Sequence, residues 1–209
     1  MPCQGKGQGY GPYDYTKAHE RSQLPIVESY HFTPEVENLI KGKSGNIPGD
    51  LDYTLRAAPN HHRALLSIIH YQIKLNSKLL SNSNPLETPV ECYMQRAIHF
   101  SPSDAVSYSL YGYYLAKINK LETAVKYYNK AISLSPDNAK IAYSFGLLLL
   151  ELKRYEDALK YANIAYQNKQ TPKGLKQKLE KLGFFITPST NSTFIDSTLN
   201  FHTDTNEPD

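Results

Sequence analysis

The side chains best suited to chemistry stand near the start of the chain. Glu28 and His31 lie three residues apart, and His61 and His62 are adjacent. Carboxylates and imidazoles together build metal sites and acid–base centres. Taken as one cluster, Glu28, His31, His61 and His62 describe a metal-binding or enzymatic protein. The pattern argues against itself in two ways. Adjacent residues on a helix point in different directions, so His61 and His62 make a poor ligand pair. No nucleophile motif accompanies any of the imidazoles, and no carboxylate stands near His70 in the sequence. The glycines from Gly5 to Gly11 follow no strand and match a phosphate-binding loop poorly. The favoured expectation is that these histidines satisfy loops and surfaces, with no catalysis, no metal and no cofactor.

Cys3 and Cys92 are the two cysteines. A bridge between them would tie the N-terminal arm to the body and imply an oxidising compartment. The competing reading is two free thiols in a reducing cytoplasm. Cys3 at the head of the chain suits a mature exported protein, so the bridge and an exported, periplasmic location are preferred over a cytoplasmic one. As written, Met1-Pro2 runs into polar, Gly-rich sequence with no secretion signal. The longest apolar run, Phe145 to Leu150, is too short for a membrane span. A net charge of +3 favours no partner class, and a nucleic-acid partner is not expected.

The elements that position these residues follow from a repeat between Asp104 and Gln170. Tyr111-Gly112 recurs as Phe145-Gly146, Leu115 as Leu149, Leu121 as Tyr155, Ala124 as Ala158, and Ala131 as Ala165. Ser101-Pro102 recurs as Ser135-Pro136. All these pairs are 34 residues apart, a period that marks stacked helix pairs. Tyr108, Tyr111, Gly112 and Leu115 share one helical face, and Ala124, Tyr128 and Ala131 share another. Gly112 and Ala124 are small where two axes must approach closely, since a mid-helix Gly otherwise costs about 1 kcal/mol relative to Ala. Asn119-Lys120 makes the turn, Pro136 stops the second helix, and Asp137 or Asn138 caps the next.

On these residues the chain resembles the tetratricopeptide repeat family, of the bacterial exported kind. The second copy departs from the family pattern: Ala142 replaces the large early residue, and the closing Pro is displaced to Pro172. The resemblance implies an all-α fold, a short right-handed superhelix of antiparallel helix pairs (an α-solenoid), and a protein or peptide partner.

Three regions follow. Residues 1–44 form an N-terminal arm plus a short capping helix, with Thr33 as N-cap, Pro34 first, Val36, Leu39 and Ile40 on the apolar face, Gly42 at the end and Phe32 as a staple. Residues 45–183 form the repeats. Gly45 to Asn60 reads as a degenerate half repeat through Leu51, Thr54, Leu55 and Pro59. His61 to Pro102 reads as a longer repeat whose loop, Ser81 to Pro85, or elongated first helix absorbs the excess. Pro172 to Phe185 is a Lys-rich cap with Leu175, Leu179 and Leu182 inward. Residues 184–209 are a disordered polar tail.

The resemblance also places a concave groove on the first helix of each pair. Carried over by position, it displays Leu66, His70, Ile73 and Lys74, then Ser109, Tyr113, Ala116 and Lys117, then Lys140, Tyr143, Leu147, Leu150 and Glu151. The carboxylate clamp of some family members is not reproduced, because His70, Tyr113 and Leu147 stand where Asn would. The groove is apolar and aromatic with a basic rim, suited to a peptide with buried apolar anchors. The alternative is that the chain's own arm covers it.

Overall fold

The computed structural model describes residues 10–79, 84–167 and 170–186. Cys3, the loop residues Ser81 to Ser83 and the tail from 187 onward lie outside these. Among the described residues the secondary structure is helical throughout: α1 (Ala18–Arg21), α2 (Pro25–His31), α3 (Pro34–Glu37), α4 (Ile47–Ala57), α5 (His62–Asn76), α6 (Val90–Phe100), α7 (Ala105–Lys117), α8 (Leu121–Leu134), α9 (Ala139–Glu151), α10 (Tyr155–Ala165) and α11 (Gly174–Lys181). The best-formed pairs are α7 with α8 and α9 with α10. Stacked on one another they make the α-solenoid that the repeat predicts.

Two local devices set the spacing. The first closes α3, α5, α7, α9 and α11. Each ends on a left-handed residue: Leu39, Lys78, Asn119, Lys153 and Gly183, with φ between 56° and 84°. At each end two backbone bonds satisfy the last carbonyls, as where Lys120 N donates to Leu115 O at 2.8 Å and Asn119 N to Ala116 O at 3.0 Å. The second device is a turn of four residues leading into a new first helix: Ala58-Pro59-Asn60-His61, Ser101-Pro102-Ser103-Asp104 and Ser135-Pro136-Asp137-Asn138. The residue before each Pro is extended, as the proline ring demands. The last residue caps the following helix through its side chain: His61 to Ala64 N, Asp104 to Val106 N and Ser107 N, and Asn138 to Lys140 N and Ile141 N.

Aromatic rings fill the layers. The pair Tyr111–Tyr127, with centroids 4.3 Å apart, recurs 34 residues later as Phe145–Tyr161 at 4.6 Å. Tyr128 stacks on Phe145 at 5.2 Å and joins one repeat to the next. Gly112 lies beneath Tyr128, and a Cβ there would stand 2.8 Å from Cδ2 of that ring and 3.3 Å from Ala124 O. Gly112→Leu is expected to lower stability by about 1–3 kcal/mol through overpacking. A shift of the denaturant midpoint with the slope unchanged is the measurement.

Three expectations need correction. The single helix foreseen after Ile26 is two, α2 and α3, and α3 ends at Glu37 because Leu39 takes the left-handed conformation. Ile40 therefore leaves the apolar face and is 71% exposed. Secondly, Thr33 precedes Pro34 at the head of α3 but makes no side-chain cap bond. Thirdly, Leu182 is 47% exposed because α11 stops before it, while Leu175 and Leu179 are fully buried. The longer repeat owes most of its excess to the connection 77–89, where the turns 118–120 and 152–154 have three residues each. At the C-terminal end, Phe184 packs on Tyr155 with centroids 5.6 Å apart and is half-buried.

The described part of the arm lies against the α4–α5 turn. Tyr13 N donates to Ala57 O at 2.8 Å, and Gly11, at φ +88°, passes so close to Ala57 O that a Cβ would stand 2.3 Å away.

Candidate functional site

The histidines of the N-terminal cluster divide among three carboxylates. His31 Nδ1 meets Asp50 Oδ1 at 2.9 Å, His61 Nε2 meets Glu28 Oε1 at 2.9 Å, and His62 Nε2 meets Asp104 Oδ2 at 2.8 Å. Each pair joins different elements, so Glu28 and His61 come together while His31 and His62 turn elsewhere. Among the described residues no three His, Cys, Asp or Glu side chains are grouped to hold a metal ion. The geometry is that of cross-braces. His61 Nδ1 accepts from Ala64 N, so its proton sits on Nε2 and donates to Glu28. Burial holds the His61 pKa below the usual imidazole value despite that carboxylate.

Asp104 is the hub of the braces. Burial pushes its carboxyl up, but hydrogen bonds from His62 and Ser107 outweigh this and hold it below the ordinary range. Asn60 Nδ2 bridges Asp104 Oδ2 at 3.4 Å and Asp14 Oδ1 at 2.7 Å, while Ser101 Oγ donates to Asp14 Oδ2 at 3.2 Å. Asn60 Oδ1 accepts from Tyr15 N at 2.9 Å. One buried network thus ties the arm to two interhelical turns.

The groove lies elsewhere. A concavity of about 660 Å³ opens between α7, α9 and α11. Tyr113, Ala116 and Lys117 come from α7, and Tyr143, Leu147, Leu150 and Glu151 from α9. Lys117 Nζ sits 5.5 Å from the Tyr113 ring centroid. His70 Nε2 lies 3.3 Å from the Tyr113 hydroxyl. Burial, then Lys74 and Lys117, hold His70 below its usual pKa, which favours a neutral imidazole. Neither Lys117 nor Lys178 forms an ion pair among the described residues.

Other residues assigned to the groove sit differently. Ser109 is buried and hydrogen-bonds the Tyr128 hydroxyl, as does Ser144 from α9. Lys140 lines a separate, wide concavity with Val106, Asn138 and Ile164. Leu66, Ile73 and Lys74 lie on α5, outside the lining of the concavity between α7, α9 and α11, and Ile73 packs on the core. Sequence reasoning missed Lys178, which α11 brings to the rim, because the Lys-rich helix reads as a solvated cap. The described arm, from Tyr10 onward, contributes no residue to this lining.

Cys92 is disulfide-bonded. Cys3, the partner expected from the sequence, lies outside the described residues. No helix among the described residues is long and apolar enough to cross a membrane.

Compared with known protein families, residues 112–153 match the model of the TPR repeat, from the middle of α7 to the turn after α9. No curated protein matches the chain. Repeats of this family generally mediate protein–protein interaction and are generally non-enzymatic.

Proposed function

We propose that this chain, with a TPR repeat at its centre, is a non-enzymatic interaction module that holds a peptide segment of a partner protein in the groove between α7, α9 and α11. The observation that carries this reading is the lining itself. Tyr143, Leu147 and Leu150 present half-buried apolar surface at the floor, and at the rim stand Lys117 and Lys178, neither of them ion-paired among the described residues. Apolar anchors with a few polar groups at the edge suit an extended or helical peptide. An exported setting, in envelope assembly or secretion, is part of the proposal and is supported by the disulfide at Cys92.

Peptides selected by display against the full chain test the reading. The double variant Tyr113→Ala, Leu147→Asp is expected to weaken the selected peptides at least about tenfold, a loss of about 1.4 kcal/mol. Leu147 is only half-buried, so the fold should survive, and an unchanged circular dichroism melt checks that. Selected peptides that bind the variant as well as the parent would place the binding surface elsewhere.

A further inference from the structure

The lining of the groove suits an occupant with apolar anchors and negative charge, and this chain carries a segment of that composition. We infer that residues 187–209 of the same chain dock in the groove between α7, α9 and α11, with Phe194 and Phe201 on the apolar floor. The inference rests on the groove reading above and names its resident ligand.

Charge is the first argument. The segment contains Asp196, Asp204, Glu207 and Asp209 and neither Lys nor Arg. The rim offers Lys117 and Lys178, neither of them ion-paired among the described residues. Glu151 is the one carboxylate of the lining. Apolar content is the second. Phe194, Ile195, Leu199 and Phe201 interrupt an otherwise polar stretch. The floor of Tyr143, Leu147 and Leu150 is of the same kind.

Reach is the third argument. The described chain ends at Ile186, five residues past α11, and α11 itself supplies Lys178 to the rim. An extended chain advances about 3.3 Å per residue, so Phe194 can lie roughly 25 Å from Ile186 and Phe201 roughly 50 Å. α11 is only about 12 Å long, so both rings can reach the floor. A short tether holds its end at an effective concentration in the millimolar range, enough to occupy a weak site. The other end of the molecule does not compete: the described arm is fastened at the α4–α5 turn.

Photo-crosslinking of the full chain, with p-benzoylphenylalanine in place of Phe194 or of Phe201, tests the placement. Cross-links within one molecule to residues 143–151 or to the Lys178 region are expected. Cross-links confined to other surfaces, or joining two copies, overturn the inference. In a second arm, a labelled peptide of residues 190–209 is titrated into the full chain and into its Phe194→Ser, Phe201→Ser variant. The variant, freed of its own competitor, should bind the peptide about threefold or more tightly. Equal affinities overturn the inference. Failure of the groove reading looks different: the display-selected peptides would then ignore Leu147→Asp, whatever the tail does.

Discussion

Asp104→Ala lowers the stability of the folded chain by about 3–5 kcal/mol, the range expected when one member of a buried, hydrogen-bonded charge network is removed. Asp104 is 4% exposed, and its oxygens accept from Val106 N, Ser107 N, Ser107 Oγ, His62 Nε2 and Asn60 Nδ2. Truncation removes the cap of α7 and leaves buried donors without an acceptor. For a chain of this size the loss moves Tm by on the order of 10 °C. Asp104→Asn should cost less, because its amide oxygen can still cap α7. A Tm for Asp104→Ala within 2 °C or so of the parent would mean that the braces are ornamental. The same network fixes the response to acid. A carboxyl held below its unfolded value contributes stability that is complete above that value and is lost as pH falls through the folded pKa. His61 acts earlier: its folded pKa lies below the usual 6.5, so the unfolded chain takes up that proton first and stability declines as pH drops below 6.5. Acid therefore loosens the fold in two stages, first at His61 and His70 and then at Asp104 and Glu28, whose carboxyl its His61 hydrogen bond holds low. His61→Asn, which keeps a capping oxygen, should remove the His61 share of the first stage.

The parts of this molecule that could be read from the sequence are those where one residue type answers one geometric need. Pro59, Pro102 and Pro136 mark the turns because proline restricts the residue before it, whatever surrounds it. Gly112 and Ala124 mark the close approach because no larger side chain fits beneath Tyr128. Most of the left-handed helix ends were hidden for the opposite reason. Asn119 is of a type that tolerates the conformation and marks its turn, but Leu39, Lys78 and Lys153 take a conformation that usually selects Gly, and backbone bonds hold them there. The braces were hidden by distance: His62 and Asp104 are 42 residues apart, and only the stacking of α5 against α7 brings them together. At the groove, the residues of α7 and α9 are carried over by position from the resemblance to the repeat family. Lys178 is not, because its place depends on how α11 docks.

Leu175→Asp detaches α11 and, with it, one wall of the groove. Leu175 is fully buried, and its Cδ2 occupies the space above Gly146, 2.6 Å from where a Cβ would be. Gly146 is thus the counterpart of Gly112, with a leucine of the capping helix where Gly112 has Tyr128. Truncating such a leucine to Ala costs about 2–5 kcal/mol, and an unpaired carboxylate cannot stay in the same place without a larger penalty. Leu179, also fully buried, is the other apolar anchor of the helix. Lys173 supplies no side-chain cap, and the nearest substitute is the Tyr166 hydroxyl, which accepts from Lys176 N at 2.9 Å and donates to Pro172 O at 2.6 Å. The Asp variant should therefore undock α11 rather than unfold the whole stack. Hydrogen exchange is the measurement: protection is lost in 174–182 and in the face of α9 around Gly146, while α5 to α8 keep theirs. Lys178 leaves the rim with the helix, so peptides that bind the parent should bind this variant more weakly. Full protection of α11 in the variant would mean that something other than Leu175 seats the cap, and the groove would then have a sturdier wall than its packing suggests.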